Sequence, residues 1–282
     1  MRSKSRWGPP FPPALQDPGV APDRNLASTT TEHSGGLSRW QASGIRLLIS
    51  AAIAAVALFV MLRIWYPPPL FTAEGGSDIL LILIGVDVVI GPLITLVIFR
   101  SGKPGLRFDL TVIALLQAGA MLYGTHVMFV ARPVYIAFMD GQFETVRAND
   151  LDPANVARAA RPEFRSVPLT GPQFVAVELP KDMNVLKELI AEAQKGGEVA
   201  QHMPRFYVPY SGYRAQAVAK SRPLEDLRKY DKSMSERIDR AIGGTGRSAS
   251  DLAFIPLQTR SGWGAVLVDG KTGDVVKILP PG

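Results

Sequence analysis

Three long apolar runs between residues 45 and 130 constrain this 282-residue chain more than any other feature. They cover about 45–66 (IRLLISAAIAAVALFVMLRIWY), 79–99 (ILLILIGVDVVIGPLITLVIF) and 109–130 (DLTVIALLQAGAMLYGTHVMFV). The first is interrupted only by Arg46 and Arg63 near its ends, and the second carries a single charge, Asp87. The third starts at Asp109 and holds Gln117 and His126. Each is roughly the 20 residues that cross ~30 Å of hydrocarbon at about 1.5 Å per residue. Soluble core helices are rarely so uniformly apolar. The expectation is a membrane protein: a three-transmembrane-helix α bundle over 39–130 followed by an α+β domain over 131–282. The first run does not read as a cleaved signal peptide, because more than 40 residues precede it and Tyr66-Pro67-Pro68-Pro69 follows it with no small-residue cleavage site.

Basic residues in the short flanks set the expected orientation. Up to Arg46 the chain has six Lys or Arg against three acids, and the loop 100–107 has Arg100, Lys103 and Arg107 with no acid. The loop 67–78 has only Glu74 and Asp78. The N-terminus and 100–107 are therefore expected inside, with 67–78 and 131–282 outside. In a bacterium that means the inner membrane, a cytoplasmic N-terminus and a periplasmic C-terminal domain. Residues 1–38 are rich in Pro, Ser, Thr and Gly without apolar periodicity, and are expected to form a disordered tail. The mean hydropathy of +0.12 is then an average over three unequal parts.

Composition removes several function classes. With no cysteine, disulfides, iron–sulfur clusters and Cys-type zinc sites are out. Three histidines (His33, His126, His202) without ligand spacing argue against a metal, and no cofactor motif is present. The net charge of +6 is local to the flanks, and 131–282 has 21 basic against 18 acidic residues, so no nucleic-acid partner is expected.

From 131 onward the texture changes. Segments 134–139 and 142–147 flank Asp140-Gly141, a strong hairpin signal. Asp152-Pro153 opens a short helix reaching about 161. A strand is expected at 174–179, and an amphipathic helix at 184–195 closed by Gly196-Gly197. Arg222-Pro223 starts one further helix with Leu224, Leu227, Tyr230, Met234 and Ile238 on a face, ending at Gly243-Gly244. Strands follow at 252–258, 264–268 and 275–279.

Asp87 is the residue most suggestive of function, since an intramembrane carboxylate is costly unless it faces protein or water. It lies at about the depth of Gln117, near 15–18 Å from the inner helix ends. Two readings stay open: a polar bond that holds the bundle together, or contact with a partner helix or substrate. Gly91-Pro92 removes a backbone hydrogen bond mid-helix and should kink the second span. Trp65 and Tyr66 are expected to anchor the outer interface, with the prolines stopping the helix. A membrane aspartic peptidase is rejected, because Asp109 lies some 15 Å shallower than Asp87 and no carboxylate dyad forms. Nucleophile-elbow and Walker patterns are absent from 131–282. Asp269–Asp274 has turn spacing, not that of an EF-hand.

Several strings together resemble one family. SRWQASGIRLLIS at 38–50, WYPPPLF at 65–71, LILIGVDVVIGPLITLVIF at 81–99, LRFDLTVIALLQAGAMLYG at 106–124, ARPVYIAF at 131–138 and AND at 148–150 are similar to the type IV pilin accessory proteins, the TfpX/TfpZ family. The resemblance covers about 38–150 closely and the remainder by layout. It implies a non-enzymatic, three-helix inner-membrane accessory factor or chaperone with a periplasmic domain, supporting pilin stability and pilus assembly. The implied partners are a cognate type IV pilin and the lipid bilayer. No catalytic residue carries over. Relative to such members residues 1–37 are extra, and an upstream start codon is favoured over a genuine tail. Two other classes make different demands. A membrane-anchored periplasmic enzyme would need a nucleophile–base pair in a segment whose one histidine is His202, and a ligand-binding sensor would need an output domain inside.

Overall fold

The computed structural model describes residues 58–77, 106–230 and 232–281, with the single positions 52, 55, 56 and 81. The tail 1–38, nearly all of the expected second span, and Asp87, Gly91 and Pro92 lie outside the described residues.

The first described helical stretch ends in a π-helical turn, Val60–Trp65, where the Tyr66 amide donates to the Met61 carbonyl at 2.9 Å. Pro67, Pro68 and Pro69 have no N–H to continue such bonding. The chain leaves the helix there and makes one short helical turn, α1 (Leu70–Ala73). The next helix, α2 (Leu106–Val130), is 25 residues long. Among the described residues no helix is long and apolar enough to cross a membrane. Large apolar side chains along these helices nevertheless stand open, including Phe59, Phe108, Leu115, Leu116 and Leu122. Where the two helices meet, Met61, Tyr66 and Met128 form a small buried cluster.

Ala131 and Arg132 alone separate α2 from an α+β domain built on one curled, eight-stranded sheet. Its strands are β1 (Pro133–Met139), β2 (Gln142–Arg147), β3 (Gln173–Val177), β4 (Tyr207–Pro209), β5 (Arg222–Pro223), β6 (Leu252–Thr259), β7 (Gly262–Asp269) and β8 (Val275–Leu279). They lie in the order β4-β3-β1-β2-β6-β7-β8, with β5 against β6. The pairs β1–β3 and β2–β6 are parallel, and the other pairs are antiparallel. The β1–β2 turn has Asp140 at φ 46° and Gly141 at φ 84°, the left-handed pair that a two-residue hairpin demands.

Side-chain alternation splits each strand between two layers. Ile136, Phe138, Phe143, Ile255, Leu257, Val266 and Val268 face a central core with an aromatic cluster of Phe138, Phe143, Phe174 and Tyr210. On the reverse of β1 and β3, Tyr135, Phe164 and Tyr207 pack edge to face. On the reverse of β6 and β7 lie two helices, α6 (Leu224–Tyr230) and α7 (Lys232–Gly243). The remaining helices are α3 (Pro153–Ala157), α4 (Met183–Gln194) and α5 (Arg214–Lys220).

The single helix expected from Arg222 to Gly243 is corrected. Arg222 and Pro223 are a strand on β6, and the rest is two helices folded back on each other. Arg228 Nη2 meets Asp239 Oδ1 at 2.5 Å, whereas in a straight helix those residues would be roughly 16 Å apart. Folding back lets Leu224, Leu227, Ile238 and Ala241 all bury against the same patch of sheet. Elsewhere the structure agrees with the local pattern: Asp152 accepts from the Ala154 amide at 2.9 Å, capping the Pro153 helix, which stops at Ala157. The short strands β4 and β5 and the helix α5 carried no periodic signal.

The segment 66–76 is not a free loop, because Leu70 and Ala73 are fully buried in the central core of the sheet. Burying a leucine contributes about 1.5–3 kcal/mol, and emptying the site adds a cavity cost. Leu70→Ala is therefore expected to destabilise the protein by about 2–5 kcal/mol. Chemical denaturation of the purified full chain, followed by tryptophan fluorescence, measures it.

Candidate functional site

The ionisable groups gather where this plug enters the sheet. Ser261, in the β6–β7 turn, ties down the end of α1: its amide donates to Ala73 O at 3.0 Å and its hydroxyl to Thr72 O at 3.3 Å, a carbonyl that also accepts from the Gly75 amide at 3.1 Å. That turn also draws in the next residue, Glu74, which is buried. Thr145, facing it from β2, donates its hydroxyl to Glu74 Oε1 at 2.5 Å, and the Arg260 backbone donates a second bond.

Around this carboxylate lies a cavity of about 170 Å³ lined by Glu74, Glu144, Thr145, Arg147, Asp150, His202, Gln258, Thr259 and Arg260. Arg147 and Asp150 form a bidentate pair, Nε to Oδ2 at 2.9 Å and Nη2 to Oδ1 at 2.8 Å. Asp150 also accepts from the Arg147 amide, closing a capping box on the turn Ala148–Asp150. His202 arrives on the turn Ala200–His202, and its Nε2 donates to Glu144 Oε1 at 3.2 Å.

Burial sets the electrostatics. Desolvation raises the Glu74 pKa above the ordinary carboxylate value, and the Thr145 hydrogen bond and nearby Arg147 offset this only in part. Burial also opposes charge on Asp150, but the hydrogen bonds and charge of Arg147 outweigh it and hold its pKa low. For His202 burial disfavours the imidazolium, yet the hydrogen bond and charge of Glu144, with Asp150 behind it, win and raise the pKa. The pairs Arg147–Asp150 and His202–Glu144 thus lie within the wall, and among the described residues no set of three metal-binding side chains assembles. The arrangement is an electrostatic joint. It binds one connector between two apolar runs to strands β2 and β6 and the turn after β6.

Of the residues singled out in the sequence, Gln117 sits in α2 with its side chain outside the described residues. The Trp65 ring tilts against Phe129 with centroids 5.1 Å apart. Tyr66 is turned inward, buried, with its hydroxyl donating to Met128 O at 3.0 Å. The joint itself was not read from the sequence. Glu74 counted there only as a loop charge and His202 only as the lone histidine of the domain. The available signal was Glu74 directly after an apolar LFTA turn, a stretch too apolar for an exposed loop.

Comparison with known proteins gives one consistent description. Two fimbrial assembly proteins of Dichelobacter nodosus, of serogroup I and serogroup E1, are each 27% identical over 218 residues, covering 76% of this chain and 84% of theirs. A third from the same organism, of serogroups C1 and C2, is 32% identical over 98 residues, which is 34% of this chain and 75% of its own. No protein-family model and no solved structure matches the chain.

The joint makes stability depend on pH in a defined direction. A histidine whose folded pKa lies above its ordinary 6.5 stabilises the fold fully below that value and ceases to do so as pH rises through the folded pKa. His202→Gln should therefore lower the melting temperature by a few degrees below pH 6.5, with the deficit closing as pH rises through the raised folded pKa. Thermal melts across that range check it; a pH-independent deficit would leave His202 a packing residue only.

Proposed function

We propose that this chain, which belongs to the family of fimbrial assembly proteins, is a non-catalytic accessory factor of a type IV pilus that holds the cognate pilin at the bacterial inner membrane. A role in pilus assembly follows from the family. The finer placing among the TfpX/TfpZ accessory proteins rests on the strings at 38–150 that resemble them.

The observation that carries the reading is the docking of 66–76 into the sheet. Tyr66 is bonded to Met128, Leu70 and Ala73 are in the core, and Ser261 closes α1. The connector and the α+β domain are one packed body, so both must lie on the same side of any membrane the chain crosses. Three spans with a cytoplasmic N-terminus satisfy that requirement: 67–78 and 131–282 both fall in the periplasm. Basic flanks at 100–107 and in the tail support the same orientation. The open apolar side chains of α2 are then lipid contacts. A subunit with an apolar helix in the bilayer and a folded head outside could be touched at both parts at once, which raises the effective concentration at the second contact. Asp87, with the Gly91-Pro92 kink and Gln117, is the intramembrane element of that contact or of the bundle seal.

Deleting the gene from a piliated host should reduce pilin level and surface pili several-fold, and the wild-type gene on a plasmid should restore both. Unchanged piliation in the deletion strain would sink the reading. Asp87→Ala should lower pilin co-purification while the chain's own membrane level stays normal; unchanged co-purification and piliation would assign Asp87 to the bundle alone.

A further inference from the structure

We propose that the loop 165–172 is a foot by which the α+β domain stands on the phospholipid surface, with Leu169 set into the boundary between headgroups and acyl chains. The inference rests on the membrane orientation proposed above and adds a lipid contact made by the domain itself.

A leucine exposed on a surface at large needs no explanation. Leu169, 67% exposed, is distinguished by where it is held. On one flank the Pro168 carbonyl accepts from Arg132 Nη2 at 2.8 Å. On the other, Gly171 packs against the end of the first helical stretch. A Cβ at 171 would lie 2.9 Å from the Ile64 carbonyl oxygen and 3.0 Å from Pro67 Cγ, so only glycine allows the approach. Ile64 belongs to the π-helical turn Val60–Trp65, and Arg132 is the second residue past α2. The loop is thus fastened to the ends of both helices, and Leu169 lies between the two fastenings.

Arg132 makes the tie to α2. It is buried, its Nη1 donates to Phe129 O at 2.5 Å, and its guanidinium carbon lies 3.9 Å from the Phe129 ring centroid. Its Nε has no hydrogen-bond partner. Both of its bonds go to carbonyls, one on the helix and one on the loop, which makes it a positioning residue. The Tyr135 hydroxyl, from β1, donates to Ser166 O at 3.4 Å and holds the start of the loop. Leu169 is therefore fixed at the level of the helix ends and is not free to fold back onto the sheet.

That level names the partner. The rings of Trp65 and Phe129 meet there, and Leu122, two turns further down α2, is 72% exposed. A bilayer that receives the open side chains of α2 ends where these rings lie, the depth at which interfacial aromatic residues collect. Leu169 stands at the same depth with Ser166 and Thr170 exposed beside it. An apolar side chain between hydroxyls suits the seam of headgroups and acyl chains. A protein partner reaches this loop only by displacing lipid from beside the helix ends.

The chain has no cysteine, so a single introduced cysteine carries the fluorophore NBD without background. Cysteine is placed at Leu169, at Leu122, and at Lys220 as a remote control. Lys220 bonds Asp140 at the hairpin tip, the seven residues of β1 or about 23 Å from the elbow. The full chain is reconstituted in vesicles of phosphatidylethanolamine and phosphatidylglycerol bearing a nitroxide near either the carbonyl or the methyl end of the acyl chain. The label at 169 should lose emission to the shallow nitroxide, that at 122 to the deep one, and that at 220 to neither. Gly171→Val, which pushes the loop off Ile64, should restore emission at 169 while 122 stays quenched. With the label moved to Thr170, Leu169→Ser, an exposed change that leaves the core untouched, should likewise weaken its quenching. Quenching at 122 but not at 169, equal quenching at 169 and 220, or losses unmoved by both variants overturn the foot and leave the membrane reading intact. No quenching at any position removes both.

Discussion

The insertion of Leu70 and Ala73 into the core of the sheet is the contact on which the rest of the structure depends. It joins two parts of the chain that composition alone would separate, the apolar runs and the α+β domain. A free loop between helices would leave the domain tethered only through Ala131 and Arg132. With the plug in place the domain is held twice near the helix-proximal end of its β1–β2 hairpin, by the continuation of α2 into β1 and by α1 and Glu74 against β2 and the β6–β7 turn.

The charged joint is a consequence of that insertion. Putting a connector into a core brings its polar backbone with it, and the carbonyls of a one-turn helix must find donors. Ser261 provides them, and Glu74 follows into a region where desolvation acts against its charge. The Arg147–Asp150 pair and the His202–Glu144 bond surround it, so the cavity holds mutually compensating charges in place of a uniform field. Replacing any one member strands its partner, which is why such clusters resist single changes more than exposed pairs do.

How much of this was legible in the sequence depends on the range over which each interaction acts. The Asp140-Gly141 hairpin and the Asp152-Pro153 cap are decided within four residues, and both are found where the sequence put them. The single helix expected at 222–243 gives way to two because its apolar spacing fits a straight helix equally well; only the sheet patch shared by Leu224 and Ile238 forces the fold-back. Glu74, Thr145, His202 and Arg260 come from four distant segments, and no local pattern announces their meeting. The relation to fimbrial assembly proteins was legible because it rests on strings of residues. The polar elements Asp87, Gly91 and Pro92 lie outside the described residues, so their part stays with the proposed function.

The bond from Tyr66 to the Met128 carbonyl has a mechanical consequence. It fastens the end of the first helical segment to α2 two residues before that helix ends, and Trp65 against Phe129 braces the same level. Since α2 passes into β1 through only two residues, the two helices and the sheet behave as a lever with a short, stiff elbow. A tilt of the helix pair by some angle turns the strands by a similar angle. Displacement at the strand ends then grows with distance from the elbow, so a small rearrangement among the helices becomes a larger sweep at the edge formed by β4.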